Sequence, residues 1–298
     1  MGLTMPHHHP VEHPGNLLLN HLNAGNHLVS VGVFNALSAA VACSHDQVQG
    51  LFLSGLGYTY SDYGWPDVGL IAPQDIRDAC QVLRYNHPDR FLISDIDSGL
   101  GGLEQLRRIC VELKEMGVSA VQLEDQTIDH KRCGHLDGKV LRPLDEALER
   151  LDIALTASGP MQVIARTDAS LSDGEAIRRV DAFIEAGARI VLVDGINEQD
   201  LLDVIQRVKG RAHLMANIVG GGKLESRAAE EFKRMGVAIV NLSTALLFPA
   251  MSAMSSAMQT LIDGDFAVSD LLPGTSLKEA NELMSLNYNR FVTNRRAA

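Results

Sequence analysis

The chain has 298 residues, with 26 Lys and Arg against 37 Asp and Glu, which leaves a formal charge of −11. That acid excess argues against a surface built to grip a nucleic-acid backbone, and an apolar content of 46% excludes a disordered chain. The length suits one large domain or two modest ones.

The opening stretch, MGLTMPHHHPVEHPGN, has no Lys or Arg and no apolar centre, so it does not read as a secretory leader. Its His7, His8, His9 and His13 have metal-binding chemistry, but a frayed, Pro-rich tail is the simpler reading. Residues 1–26 are therefore taken as a tail with a lead-in helix. Eight strands follow in order, at His27–Phe34, Val48–Ser54, Arg90–Asp97, Ala120–Asp125, Gln162–Asp168, Arg189–Asp194, His213–Ile218 and Val237–Ser243. Helical patterns alternate with them at Pro73–Tyr85, Leu103–Met116, Leu144–Ala157, Gly174–Ala186, Glu198–Val208 and Leu224–Met235.

Three segments, KEMGVSAVQLED, IEAGARIVLVDG and KRMGVAIVNLST, repeat one pattern. A helix ends at Gly117, Gly187 or Gly236, an apolar run follows, and Glu124, Asp194 or Ser243 stands seven positions past the glycine. Eight helix, turn and buried-strand units in about 250 residues predict an α/β protein with a (β/α)8 TIM-type barrel over 27–262, ahead of a doubly wound sheet. Val237–Ile262 lacks any charge for 26 residues, but Asn241, Pro249 and several Ser and Thr argue against a membrane span. It reads as a buried strand followed by a buried helix. Residues 263–298, with a helix at Ser276–Tyr288, form a C-terminal helical extension that needs a packing partner.

Chemistry in such barrels gathers at the C-terminal ends of the strands. In SDIDSG, Asp95 and Asp97 lie two apart on a strand, so their oxygens point the same way. With Glu124 they suit one hard cation, Mg²⁺ or Mn²⁺ rather than zinc. Helix capping, or pairing with Arg166, is the alternative. EDQTIDHKRCGHLDGK is a polar loop after a strand. In it Cys133 has Lys131, Arg132 and His135 close by, a setting expected to lower a thiol pKa and prepare it for proton transfer or attack. Gly134 and Gly138 offer hinges for a lid. Arg166, ending a buried strand in VIARTD, needs a partner: a substrate carboxylate, or Asp95, Asp194 or Glu124. GGGK at Gly220–Lys223 lacks P-loop spacing and reads as a flexible loop. Four cysteines, Cys43, Cys80, Cys110 and Cys133, are too few and scattered for a disulfide framework, so a reducing, cytoplasmic setting is expected. The first three read as core residues.

These motifs, in this order, resemble the isocitrate lyase and phosphoenolpyruvate mutase superfamily. KRCGH at Lys131–His135 resembles the signature of its carbon–carbon lyases. Ser54-Gly55, GWPDVG around Asp67, DIDSG, LEDQ, ARTD, ANI at Ala216–Ile218 and NELMSL match its other landmarks. The resemblance implies terminal helices exchanged between subunits of a homodimer or homotetramer, and Mg²⁺ held by Asp95 and Asp97 with Asp67 and Glu124 in support. It implies a substrate-binding set of Ser54, Gly55, Leu56, Asp97, Gly134, Arg166, Asp194 and Asn217. The catalytic set it implies is Cys133, Arg166, Lys131 and His135, with Cys133 as the acid. The expected partner is a small di- or oxo-carboxylate, with no nucleic acid and no membrane.

Departures narrow the substrate. Methylisocitrate-cleaving relatives carry arginines where this chain has Phe248 and Ala280, so a third carboxylate lacks a partner and a malate-type dicarboxylate or oxaloacetate fits better. Leu56 stands for a usual glycine, Asp194 for a usual glutamate and Gly220 for a frequent acid. The loop before KRCGH is one residue longer than in many methylisocitrate lyases. A phosphonate P–C mutase or hydrolase and a (methyl)isocitrate lyase are the enzyme alternatives. A binding protein that retains the pocket without turnover is a third.

Overall fold

The computed structural model describes residues 12–136, 138–224, 227–268 and 274–297, so His7, His8 and His9 lie outside the described residues. Its elements run α1 (Pro14–Asn23), β1 (Leu28–Val33), α2 (Ala36–Cys43), β2 (Gly50–Leu53), α3 (Gly55–Tyr58), α4 (Pro73–Asn86), β3 (Phe91–Asp95), α5 (Leu103–Glu115) and β4 (Ala120–Glu124). They continue with α6 (Leu144–Ser158), β5 (Gln162–Thr167), α7 (Glu175–Glu185), β6 (Ile190–Val193), α8 (Glu198–Val208), β7 (His213–Ile218), α9 (Ala229–Met235), β8 (Ile239–Leu242), α10 (Leu247–Asp263) and α11 (Leu277–Ala297). All eight strands are parallel, each pairs with the next, and β8 closes on β1 through Leu28 opposite Ile239. The chain is a (β/α)8 barrel, as the repeat predicts. The three repeat glycines sit at positive φ (78°, 105° and 107° at Gly117, Gly187 and Gly236), the turn that sends each helix back into a strand.

The core has two parts. Between barrel and helices lies a continuous layer that includes Cys43, Cys80 and Cys110. Inside the barrel, Leu28, Phe52, Ile93, Ile164, Ile190, Met215 and Ile239 meet Leu18 and Leu22 of α1, which stops the N-terminal end. His13 caps that helix: its Nδ1 accepts from the Gly15 amide at 3.0 Å, and its Nε2–H donates to the Lys114 carbonyl at 2.9 Å. This histidine is structural.

Three expectations change. The polypeptide after Pro249 is not a buried helix: in α10 only Leu247 is buried, and Met251, Met254, Met258 and Ile262 face outward. It is the helix that follows β8, and apolar content alone does not say what covers it. The helix expected from Leu224 begins at Ala229 and the terminal one reaches Ala297, with part of the former lying outside the described residues. Helix α11 rests on α4 and α2 of the same chain. Among the described residues no helix is long and apolar enough to cross a membrane.

Candidate active site

The strand ends bring every predicted site residue to one mouth. Ser54 caps α3 by accepting from the Gly57 amide at 3.1 Å, and Gly55 lies so close to the next strand that a Cβ there would stand 3.0 Å from Asp95 Oδ2 and 3.4 Å from Asp97 Oδ1. The two aspartates converge by a different route from strand alternation. Strand β3 ends at Asp95, and Asp97 lies in a turn at φ 47°, its amide donating to Asp95 Oδ1 at 3.1 Å. Leu100, Gly99 and Gly101 share that left-handed region. Arg150 of α6, 7% exposed, braces the turn by donating to the Ser98 carbonyl at 2.9 Å and the Gly101 carbonyl at 2.6 Å. Substituting Arg150→Met is expected to cost roughly 3 kcal/mol in urea unfolding, because two charged hydrogen bonds vanish and two carbonyls are stranded.

Lys131 reaches across the mouth rather than toward Cys133. Its ammonium lies 2.5 Å from Asp67 Oδ1 and 2.9 Å from Asp97 Oδ1. Burial opposes its charge, but Asp97, Glu124 and Asp67 outweigh that and hold its pKa well above the ordinary value. Arg166 carries three carboxylates. It grips Asp168 through two bonds (3.0 and 2.9 Å), meets Asp194 at 2.9 Å and approaches Glu124 at 3.3 Å. Asp194 also accepts from Asn217 at 3.0 Å, Asn217 from Asn241 at 3.0 Å, and Asn241 from Ser30 at 2.9 Å. Burial works against the Asp194 charge, yet Arg166 holds its carboxyl well below the usual carboxylate range.

The other carboxylates move the opposite way. Burial, then the negative charge of Asp97, pushes Asp95 up to about 7; burial likewise raises Asp97, and Glu124 well above its ordinary value. Both Glu124 oxygens and Gln122 Oε1 are buried without a directed hydrogen bond, and Asp97 Oδ1 faces the Lys131 ammonium. Hard oxygen donors in a cluster where Lys131 and Arg166 are each shared among several carboxylates are what Mg²⁺ seeks. Among the described residues no three His, Cys, Asp or Glu side chains are gathered tightly enough to ligate an ion by themselves, so waters would complete the shell of an ion that dehydrates reluctantly.

Cys133 departs from the sequence expectation. Its thiol pKa is raised, because burial of the half-exposed residue penalises the thiolate and Asp194 and Asp67 offset the help of Arg166 and of the His135 amide. Lys131, expected to acidify it, is spent on Asp67 and Asp97. The thiol is thus a retained acid at neutral pH rather than a ready thiolate.

The loop bearing Cys133 closes over the mouth. Its neck is pinned where Gln126 bonds both sides of the Arg132 peptide (2.9 and 3.1 Å) and bridges Leu141, and Arg179 ties the Arg142 carbonyl to buried Asp125. Gly134 lies against Arg166, Asp168 and Asp194 with no room for a Cβ. GGGK packs on the lid instead of cradling phosphate: Gly222 lies beside His135, and Lys223 donates to the Gly195 carbonyl at 3.0 Å. Phe248 packs against Gly220. The cavity, lined by Ser54, Leu56, Asp95, Cys133, Arg166 and Asn217 among others, measures about 30 Å³, room for little more than water. His135 Nε2 stands 3.4 Å from Asp194 without a directed bond.

Sequence reasoning named Asp168 at a strand end without giving it a role, although its position two residues after Arg166 puts both on one side. Gln122, two before Glu124, carries the same period-two signal, as do the inward Ser30 and Asn241. Lys139 offered no comparable signal.

Charged side chains from several strand ends, converging under a covering loop on a barrel's C-terminal face, define a (β/α)8 enzyme. The phosphoenolpyruvate phosphomutase family profile matches residues 19–262. A 2-methylisocitrate lyase of Bacillus subtilis (strain 168) is 34% identical over 222 residues, covering 74% of this chain and 70% of that protein. The crystal structure of a 2,3-dimethylmalate lyase aligns with TM-score 0.85 and 31% identity over 96% of each chain. An oxaloacetate acetylhydrolase in complex with 3,3-difluorooxalacetate aligns with TM-score 0.86 and 30% identity, covering 97% of this chain and 99% of that one. The chain belongs to the phosphoenolpyruvate mutase and isocitrate lyase superfamily, and it is an enzyme of the lyase kind.

Proposed function

We propose that this enzyme cleaves the C2–C3 bond of a malate-type 2-hydroxydicarboxylate, or splits oxaloacetate hydrolytically, with Cys133 as general acid. The observation that carries the reading is a half-buried thiol, its pKa raised by burial, lining the same cavity as Arg166, Ser54 and Leu56. Mg²⁺, held by Asp95 and Asp97 partly through water with Asp67 and Glu124 behind them, would supply Lewis-acid stabilisation of the substrate's oxygens. Arg166 and Asn217, with the backbone of Ser54, Gly55 and Leu56, hold the 2-oxo or 2-hydroxy carboxylate end. In the lyase reaction a basic group of the site takes the C2 hydroxyl proton, C2 becomes a carbonyl as the C2–C3 electron pair passes to C3, and Cys133 Sγ–H protonates C3, its thiolate regaining the proton that the base has taken. The lid formed around Gly134 excludes water, and Arg166 opposes the negative charge of the enolate-like product. Phe248 and Ala280, where tricarboxylate-cleaving relatives carry arginines, leave no cation for a third carboxylate, which favours these substrates over (methyl)isocitrate.

The assembly is read the same way: a homodimer or homotetramer in which exchanged C-terminal helices cover the outward methionines of α10. The setting is cytoplasmic. The test is a panel of 2-hydroxy- and 2-oxo-dicarboxylates with Mg²⁺, followed by NMR in wild type and Cys133→Ser. Cleavage of none of them, or undiminished cleavage by the variant, sinks the mechanism. Independently of turnover, Mg²⁺ at a hundredfold its Kd is expected to stabilise the fold by roughly 3 kcal/mol in thermal unfolding. EDTA should reverse the shift and Asp95→Ala should abolish it.

A further inference from the structure

We propose that Lys139 is the latch of the lid, a positioning residue that fixes Cys133 over the cavity by tying the neighbouring Gly134 to the barrel. Its ammonium donates to the Gly134 carbonyl at 2.6 Å and lies 3.7 Å from Asp168 Oδ1. Asp168 is a firm anchor, held through two bonds by Arg166 while its amide donates to buried Asp125 at 3.1 Å. One side chain on the lid's return limb therefore spans the moving tip and the fixed wall. The approach leaves no slack: Gly195 sits at φ 67°, and a Cβ on it would stand 2.5 Å from the Gly134 carbonyl oxygen and 3.6 Å from Lys139 Nζ.

The lid must release for anything larger than water to enter a cavity of about 30 Å³. The two lysines that hold it differ in how readily they let go. The Lys131 side chain is 3% exposed and shared between two aspartates, whereas that of Lys139 is 19% exposed, so water can compete for it from outside. Closure also brings a cation to a cluster in which one arginine, Arg166, is shared among Glu124, Asp168 and Asp194. Lys139 thus makes the shut position the electrostatically favoured one while leaving it reversible.

The inference takes from the proposed function only that substrate enters this cavity, and it is tested without turnover. Ligand-free protein is treated with iodoacetamide, and the rate at each cysteine is followed by mass spectrometry. Lys139→Met is expected to speed alkylation of Cys133 roughly tenfold, the scale of one lost charged hydrogen bond, with Lys139→Arg restoring the slow rate. Losing a nearby cation would by itself make the thiol a weaker acid and slow the reaction, so acceleration reports access. Cys43, Cys80 and Cys110, buried in the core, report global loosening. An unchanged Cys133 rate in Lys139→Met overturns the latch, as does a parallel rise at the three core cysteines. Absence of lyase activity in the wild-type sample would sink the functional reading and leave the alkylation result standing.

Discussion

Cys133→Ser is expected to lower turnover by about 10²–10⁴-fold, the range that a positioned general acid contributes, with little change in the thermal midpoint. The substitution keeps the size and nearly the shape of the side chain, and the lid around it is held by Lys131, Lys139 and Gln126 rather than by the thiol. What is lost is acidity, because a hydroxyl is a far poorer proton donor. The pH profile separates the roles further. Burial pushes the thiol above its ordinary value, so the protonated form persists through neutral pH, and turnover should fall only as pH rises through the raised thiol pKa. That alkaline limb should vanish from whatever activity the serine variant keeps. A nucleophilic thiolate predicts the reverse, activity rising with pH, and stopped-flow or NMR rates between neutral and alkaline pH distinguish the two.

Arg166→Met is expected to cost about 3–5 kcal/mol of folding stability at neutral pH and to remove substrate binding. The guanidinium is 6% exposed and serves Glu124, Asp168 and Asp194 together, so its removal leaves three buried carboxylates short of counter-charge. The sign of the pH dependence follows from Asp194. In the wild type its folded pKa lies below the unfolded one, so it stabilises the fold above the unfolded value of about 3.9, and that contribution is lost as pH falls through the folded value. Without Arg166, burial dominates and the folded pKa rises above the unfolded one. The variant then loses stability as pH climbs, so the gap to wild type should narrow toward pH 4. Urea titrations at acid and neutral pH measure it, and a pH-independent difference would mean that Arg166 contributes packing rather than charge.

The barrel was legible because its cause is local. A glycine that must sit at positive φ ends each repeat helix, and the polar residue seven positions on marks the mouth. Asp95, Glu124, Arg166 and Asp194 could be placed from strand periodicity for the same reason. Asp97 could not, since its position depends on a left-handed turn braced by Arg150 from a helix more than fifty residues later. The acidity of Cys133 was misread because proximity in sequence suggested that Lys131 would serve it. In space Lys131 answers to Asp67, 64 residues away, and burial decides the thiol. The outward face of α10 was hidden because its Met, Ala and Ser content is equally at home in a core and against another subunit.

Helix α1 gives the barrel a closed bottom, with Leu18 and Leu22 seated on the innermost ring of side chains. The cavity at the mouth therefore ends on a packed interior and opens on one side. A reaction that makes two products from one substrate must discharge both through the opening by which the substrate came in. Departure is then sequential by geometry: the fragment nearer Cys133 stands between the other fragment and solvent. Product inhibition should carry that order, with the fragment held by Arg166 competing directly with substrate and the fragment beneath the lid competing only with the half-emptied enzyme.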